Sequence, residues 1–378
     1  MREKIAFVVA TPLTAKAFLL HHFQQLSRTY DVYLIANFTD EKTIAHQFEN
    51  ITVIDAPIQR QVSIWLDLKS IIVLFKLFRQ HKFDIVHSVT PKAGLLAMTS
   101  SLLAGIKYRF HTFTGQVWAT QGGMKRLFFK TLDKVLNMAA YRVLVDSASQ
   151  RRFLIAEGVT SNSKSSVLAN GSISGVNAQA FFSNSELKAQ SRTEFGLSSS
   201  DFVFMFLGRV NPEKGIAELI AAFKQLSKEP GRTAMKLLIV GPDETNMLSD
   251  LIESNIVVKG YTDSPNKCMA AADVFCLPSH REGFGSVIIE AAASGLPAIG
   301  SDIYGVNDAI QDGVTGLLHK VKDQNAIADC MRVMMDDHQT RQKLGDAAKN
   351  RAVNDFSQAT VTAALCEFYT QVCTGEQR

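Results

Sequence analysis

Two glutamates, Glu282 and Glu290, stand eight residues apart in "REGFGSVIIE", with Gly283 and Gly285 flanking Phe284 between them. A second stretch, "FLGRVNPEKG", carries Gly208 and Arg209, then Lys214 and Gly215. An arginine and a lysine converging on one point suit a diphosphate, because the guanidinium pairs bidentately with phosphate oxygens and the ammonium adds a point charge. Glycine turns let the backbone approach a ligand, and the free N–H groups of a helix start favour an anion. Each stretch has a plainer reading: a βα loop with one solvated and one salt-bridged glutamate, or a surface Arg/Lys pair. Histidines form a third set. His111 in "YRFHTFTGQVW" and His87 in "DIVHSVTPKAG" each close an apolar run. Such a residue is either a satisfied structural histidine or, facing a cleft between domains, a catalytic one, and His111 is the stronger candidate. His21 and His22 fall on an early helix and read as surface residues.

These residues need strands that end where helices begin. "ADVFCLPS" reads as a buried parallel strand, and Val287, Ile288, Ala291 and Ala292 recur at helical spacing until Gly295 and Pro297 stop the helix. "REGFG" therefore joins a strand's carboxyl end to a helix start, the edge where open α/β sheets bind ligands. Across the first half, strands are expected at "KIAFVVA", "DVYLIAN", "ITVIDAP", "FDIVHSV", "YRFHTFT", "YRVLVDS" and "SSVLANG". Helices are expected near 14–28, 63–81, 92–104, 124–139 and 147–157. "NGSISGVNAQAFFSNSE" reads as a linker. The pattern restarts at "DFVFMFLGRV", with strands at "MKLLIVG", "IVVKGY", "DVFCLPS" and "PAIGS", each followed by a helix. Two Rossmann-like, doubly wound domains in tandem follow from this alternation.

The 378-residue length also favours two domains. Hydrophobic and charged contents of 46% and 20% describe an ordinary soluble protein. No apolar run is long enough to span a bilayer, and "MREKIAFVVATP" enters a strand rather than a leader, so cytoplasmic residence is expected. The five cysteines lack a CxxC pair and read as reduced core residues, with no zinc site.

Charge is uneven. Residues 1–172 hold 21 Lys and Arg against 11 Asp and Glu, net +10, while the remainder is net −6. The basic half should face something acidic, a membrane surface or a phosphorylated acceptor; no nucleic-acid reader module is evident. In "MKRLFFKTLDKVLNMAAYR", Phe128, Phe129, Leu132, Val135, Leu136 and Ala139 share one helix face, and Arg126, Lys130 and Lys134 repeat on the other. That basic face is either simply solvated or docks on anionic lipid.

Taken together, Gly208-Arg209, Lys214-Gly215, Glu282-Gly283-Phe284-Gly285 and Glu290 resemble the retaining glycosyltransferases of family 4, the spacing of the two glutamates being the most specific mark. "HTFTGQVW" and "NGSISGV" resemble a bacterial subgroup that adds amino or deoxy sugars to lipid-linked O-antigen and capsule intermediates. The resemblance implies the α/β GT-B fold, two Rossmann-like domains facing a central cleft. Residues 1–172 would be the acceptor domain, 173–355 the donor domain, and 356–378 a helix packing back on the first. It implies further that Arg209 and Lys214 neutralise the leaving diphosphate without a metal. Glu282 and the N–H groups of Gly283, Phe284 and Gly285 would hold the donor sugar and its phosphate. Glu290 would bind the ribose, Gly208 and Val287 would complete the nucleotide site, and His111 would touch the sugar or acceptor. No general base and no cofactor are implied. The donor is expected to be a UDP-sugar, the acceptor a sugar on polyprenyl diphosphate, and the enzyme peripheral on the inner face of the plasma membrane. Many family members open with a Gly-Gly loop; here "TPLTAKAF" offers Thr11, Thr14 and Lys16 to phosphate oxygens instead. Two other readings share the fold: a sugar-nucleotide epimerase, and a non-catalytic subunit of a polysaccharide assembly complex.

Overall fold

A computed structural model describes residues 2–39, 42–59, 63–249, 251 and 253–375. Its strands are β1 (Lys4–Val8), β2 (Asp31–Ala36), β3 (Thr52–Asp55), β4 (Ile85–Val89), β5 (Tyr108–Phe113), β6 (Arg142–Val145), β7 (Ser165–Ser166), β8 (Phe202–Leu207), β9 (Met235–Val240), β10 (Ile256–Lys259), β11 (Val274–Leu277), β12 (Ala298–Ser301) and β13 (Gly316–His319). Helices α1 (Pro12–Phe18), α2 (Leu20–Leu26), α3 (Ile64–His81), α4 (Pro91–Leu103), α5 (Gly123–Ala139), α6 (Ala148–Ala156) and α7 (Ser185–Phe195) alternate with the first strands. The rest are α8 (Ile216–Leu226), α9 (Pro265–Ala271), α10 (Ser286–Ala293), α11 (Val306–Ala309), α12 (Gln324–Asp336), α13 (His338–Asp355) and α14 (Gln358–Thr374). Local chemistry sets many boundaries: Pro12, Pro91 and Pro265 open helices, where a missing N–H costs nothing. Ser147, Asn184 and Asp323 cap theirs by accepting from Gln150, Leu187 and Ala326 N–H groups.

The chain divides into two compact units, Met1–Ser174 with Gln358–Arg378, and Gly175–Ser357. In the first, seven parallel strands run in the order β3-β2-β1-β4-β5-β6-β7. Helices α3, α4 and α5 bury Leu74, Phe78, Leu96 and Leu136 against one face. On the other face α1, α2 and α14 bury Ala15, Phe23, Leu365 and Phe368. The helix expected near 14–28 is two helices, divided at Leu19, where φ is −118° and ψ −10°.

Polar contacts fix α14 to this sheet. His22 is buried, not at the surface as its sequence position suggested: Nε2–H donates to the Ile173 carbonyl at 2.7 Å, and Nδ1 accepts from the Thr362 hydroxyl at 2.8 Å. The His87 ring stacks on Phe7 and bonds the Tyr369 hydroxyl at 2.5 Å and Thr112 Oγ1 at 2.8 Å. Desolvation lowers the pKa of His22 to about 4 and of His87 to about 3, so both rings are neutral at physiological pH.

In the second unit six parallel strands run β10-β9-β8-β11-β12-β13. β13 was not expected from sequence: it is four residues long and begins at Gly316, where a Cβ would meet the Ala298 carbonyl oxygen at 2.3 Å. Among the described residues no helix follows β9, against the expected alternation. Cys268 and Cys276 lie in this core, and all five cysteines are free thiols. In both sheets strand order reverses once, between β1 and β4 and between β8 and β11, and such reversals are where open α/β sheets bind ligands.

The His22–Thr362 contact makes the first prediction. Thr362→Val leaves a buried ring nitrogen without its donor and should cost about 1–3 kcal/mol, read as a lower urea midpoint with an unchanged slope. An unaltered midpoint would refute the anchoring role of this pair.

Candidate functional site

The two motifs noticed in sequence sit on neighbouring strands, since β8 pairs with β11. Beyond β8 the chain turns at Gly208, whose φ is +155°, and continues through the 3-10 turn Pro212–Lys214 into α8. Beyond β11 it passes Ser279 to Gly285 and enters α10. Packing between these loops is backbone on backbone. A Cβ on Gly215 would lie 2.1 Å from the Pro278 carbonyl oxygen, and one on Gly241 1.9 Å from the Gly208 oxygen. A Cβ on Gly305 would lie 2.4 Å from the Gly283 oxygen. All three have positive φ as well, so glycine is required twice over.

Side chains then lace the loops together. Lys214 Nζ donates to Glu282 Oε1 at 2.5 Å, and the Ser279 hydroxyl donates to the same oxygen at 2.8 Å. Arg281 Nη2 donates to Glu213 Oε2 at 2.6 Å, the His280 backbone N–H to the Glu213 carbonyl at 2.8 Å, and the His280 ring meets Glu218 Oε1 at 2.9 Å. Arg209 points elsewhere. Its guanidinium is largely exposed and donates to Glu244 at 3.1 and 3.3 Å, while Asn211 Nδ2 donates to the same carboxylate at 2.8 Å. Each of the two cations is held by its own carboxylate, Arg209 by Glu244 and Lys214 by Glu282. Glu244 belongs to a loop after β9 that is folded round Asp243, which accepts from the N–H groups of Thr245, Met247 and Leu248. Those bonds draw the Asp243 pKa below its usual value.

Phe284 is buried with its ring against Phe356, so only its backbone is available to a ligand. Gly285 caps α10 at φ +79°, leaving the helix start open at Ser286. Val287 is half-buried and packs on the core. Glu290 lies one turn in, and its carboxyl has no hydrogen-bond partner among the described residues. Desolvation raises its pKa to about 7.

His111 belongs to the first unit, in β5. The ring is fully buried: Nδ1 meets Ser88 Oγ at 2.9 Å, and Cε1 lies where a Cβ on Gly94 would be only 2.4 Å away. Desolvation lowers its pKa to about 3. It packs α4 onto β5. At the reversal point of this sheet, Thr11 and Thr14 lie after β1, and Thr90 after β4 takes φ +75° and ψ 143°, a costly conformation for a β-branched residue. Sequence reading missed Glu213, Glu218, Glu244 and Thr90. Glu213 is the first residue of the quoted "EKG" and Glu218 lies three residues beyond it, whereas no local pattern marks Glu244 or Thr90.

Comparison with known proteins agrees with this layout. Residues 20–171 match the family described as "Glycosyl transferase 4-like domain", and residues 188–351 match "Glycosyl transferases group 1". A Staphylococcus aureus capsular polysaccharide biosynthesis glycosyltransferase, CapM, is 29% identical over 350 residues, 90% of each chain. An Escherichia coli UDP-Gal:alpha-D-GlcNAc-diphosphoundecaprenol alpha-1,3-galactosyltransferase is 27% identical over 369 residues, 94% of this chain and 93% of that one. The solved structure of Anabaena Alr3699/HepE in complex with UDP superposes with a TM-score of 0.80 at 19% identity, over 98% of this chain and 100% of that one. With both halves matched in chain order and the two-sheet architecture shared over the full length, the chain belongs to the family 4 glycosyltransferases of GT-B fold.

Proposed function

We propose that this glycosyltransferase moves a hexose, N-acetylated or deoxy, from a UDP-sugar to a sugar carried on polyprenyl diphosphate, with retention at the anomeric carbon. The observation that carries the reading is the junction of the β8 and β11 loops, where Lys214 and Glu282 meet beside the open N-terminus of α10. A nucleoside diphosphate entering there would exchange the carboxylate partners of Lys214 and Arg209 for phosphate oxygens. As the bond from the anomeric carbon to phosphate breaks, the two cations would stabilise the charge left on the diphosphate. The acceptor oxygen would bond to the same face of the sugar and pass its proton to the departing phosphate. Released from Lys214, Glu282 could accept from sugar hydroxyls, and Glu290, already without a partner, could accept from the ribose. No cofactor and no metal enter this scheme.

The relatives support the substrates. The Escherichia coli protein is named for a UDP-sugar donor and a diphosphoundecaprenol acceptor, the Staphylococcus protein for capsule synthesis, and the Anabaena structure holds UDP. Among the described residues no helix is long and apolar enough to cross a membrane. A lipid-carried acceptor would place the enzyme peripherally, at the inner face of the plasma membrane.

The direct test supplies radiolabelled UDP-sugar and a polyprenyl-diphosphate sugar in excess EDTA. Label should appear in lipid, and Arg209→Ala, which alters an exposed side chain, should slow transfer by roughly tenfold to a thousandfold without lowering the melting temperature. Isomerised free nucleotide sugar would identify an epimerase. No turnover of either kind would favour the non-catalytic subunit. Near-normal transfer by the variant would remove Arg209 from the mechanism.

The raised Glu290 pKa gives a pH prediction. The carboxylate is the better acceptor for ribose hydroxyls, and it becomes populated as pH rises through about 7. Affinity for a UDP-sugar, whose diphosphate does not itself titrate there, should therefore strengthen between pH 6 and 8. Glu290→Gln should bind more weakly at pH 8 and show a flat profile. A wild-type profile that is already flat would separate Glu290 from the nucleotide.

A further inference from the structure

Arg126 and Lys130 do not form a free basic stripe. Both donate to Glu157, at 2.7 and 2.5 Å, and both lie over the ring of Trp118, while Lys134 is exposed. The solvent side of α5 carries several large apolar side chains: Met124, Leu127, Phe128, Val135 and Met138 are exposed. On α3, Ile64, Trp65 and Leu68 are exposed likewise. These two helices flank α4 in the layer that covers one face of the first sheet. Of the 21 large apolar side chains exposed among the described residues, 12 lie on α3, α4 and α5, which concentrates them well beyond the scatter normal for a soluble surface.

Charge decides what covers this layer. Exposed Lys69, Lys76, Arg79, Lys125 and Lys134 stand among the apolar side chains. The acids of the three helices are both engaged: Asp67 pairs with Lys92 at 2.7 Å, and Asp133 is buried, accepting from Trp118 Nε1 at 2.7 Å. The exposed charge is thus of one sign. A second copy docking through the same face would bring cation against cation, whereas anionic headgroups complement it.

We propose that the outer faces of α3 and α5 form a membrane-docking surface, with Trp65, Leu68, Leu127 and Phe128 entering the headgroup region of an anionic bilayer while the neighbouring lysines pair with lipid phosphates. This surface deepens the lipid-linked acceptor reading by naming how the enzyme reaches the bilayer, and it replaces the Arg126–Lys130 stripe as the docking element.

The two tryptophans make it measurable, because Trp65 is 83% exposed and Trp118 is 1% exposed. Adding vesicles of phosphatidylcholine with phosphatidylglycerol should blue-shift the emission and co-sediment the protein. Pure phosphatidylcholine should do so far less. Trp65→Ser should abolish the shift. The fourfold variant Trp65→Ser, Leu68→Gln, Leu127→Gln, Phe128→Gln should lose at least tenfold in partitioning while keeping its melting temperature and its transfer to a short-chain, water-soluble diphosphate acceptor. Equal partitioning of variant and wild type would overturn the proposal, as would a blue shift that grows with protein concentration in the absence of lipid, the sign of self-association. Should wild type bind vesicles yet transfer sugar to no diphosphate acceptor, the docking surface stands and the acceptor assignment fails.

Discussion

Backbone contact at the carboxyl edge of the second sheet constrains everything built on it. Three glycines, Gly215, Gly241 and Gly305, each stand within bonding-like range of a neighbouring carbonyl oxygen once a Cβ is imagined on them. Their absence of side chains lets the loops after β8, β9, β11 and β12 close on one another. Lys214 can then reach Glu282, and the start of α10 lies open beside them. Rigid peptide contacts of this kind hold groups in place more firmly than long side chains could.

Charge in this site is balanced before any ligand arrives. Lys214 is held by Glu282, Arg209 by Glu244, Arg281 by Glu213, so each cation already has a carboxylate. The pairs differ in cost. Arg209 and Glu244 are exposed and solvent screens their attraction, so Arg209 can leave its partner cheaply. Lys214 and Glu282 are mostly shielded, and separating them without a replacement would strand charge.

Much of this was legible in the sequence because it is local. Strand–turn–helix punctuation placed Gly208, Arg209, Lys214 and the Glu282–Gly285 turn at strand ends, and the sheet then brought those ends together. Readings that depended on distant partners fared otherwise. His111 lies in an apolar run, and its full burial depends on Gly94 in α4, whose missing side chain leaves room for the ring. His22 falls on a helix of seven residues with polar neighbours, yet Thr362 and Ile173 bury it. On α5 the helical wheel put Phe128 and Leu136 on one face, yet Phe128 is exposed and Leu136 buried, and of the three basic residues Glu157 and Trp118 hold Arg126 and Lys130 while Lys134 is exposed. Periodicity reports that a face differs, and only tertiary partners report which way it turns.

The assignment of α14 to the first unit has a consequence for the order of synthesis. Strands β1 to β7 leave the ribosome long before the helix that covers them, with all of Gly175–Ser357 made in between. At translation rates of about 5–20 residues per second, that interval is roughly ten to forty seconds. Throughout it, the sheet face bearing Ile5, Phe7 and Phe110, which α14 later covers with Val361, Leu365 and Tyr369, lacks its native lid. The second unit can fold as a continuous segment meanwhile. The first finishes last despite starting first, and a nascent chain in that interval is the form most in need of a chaperone.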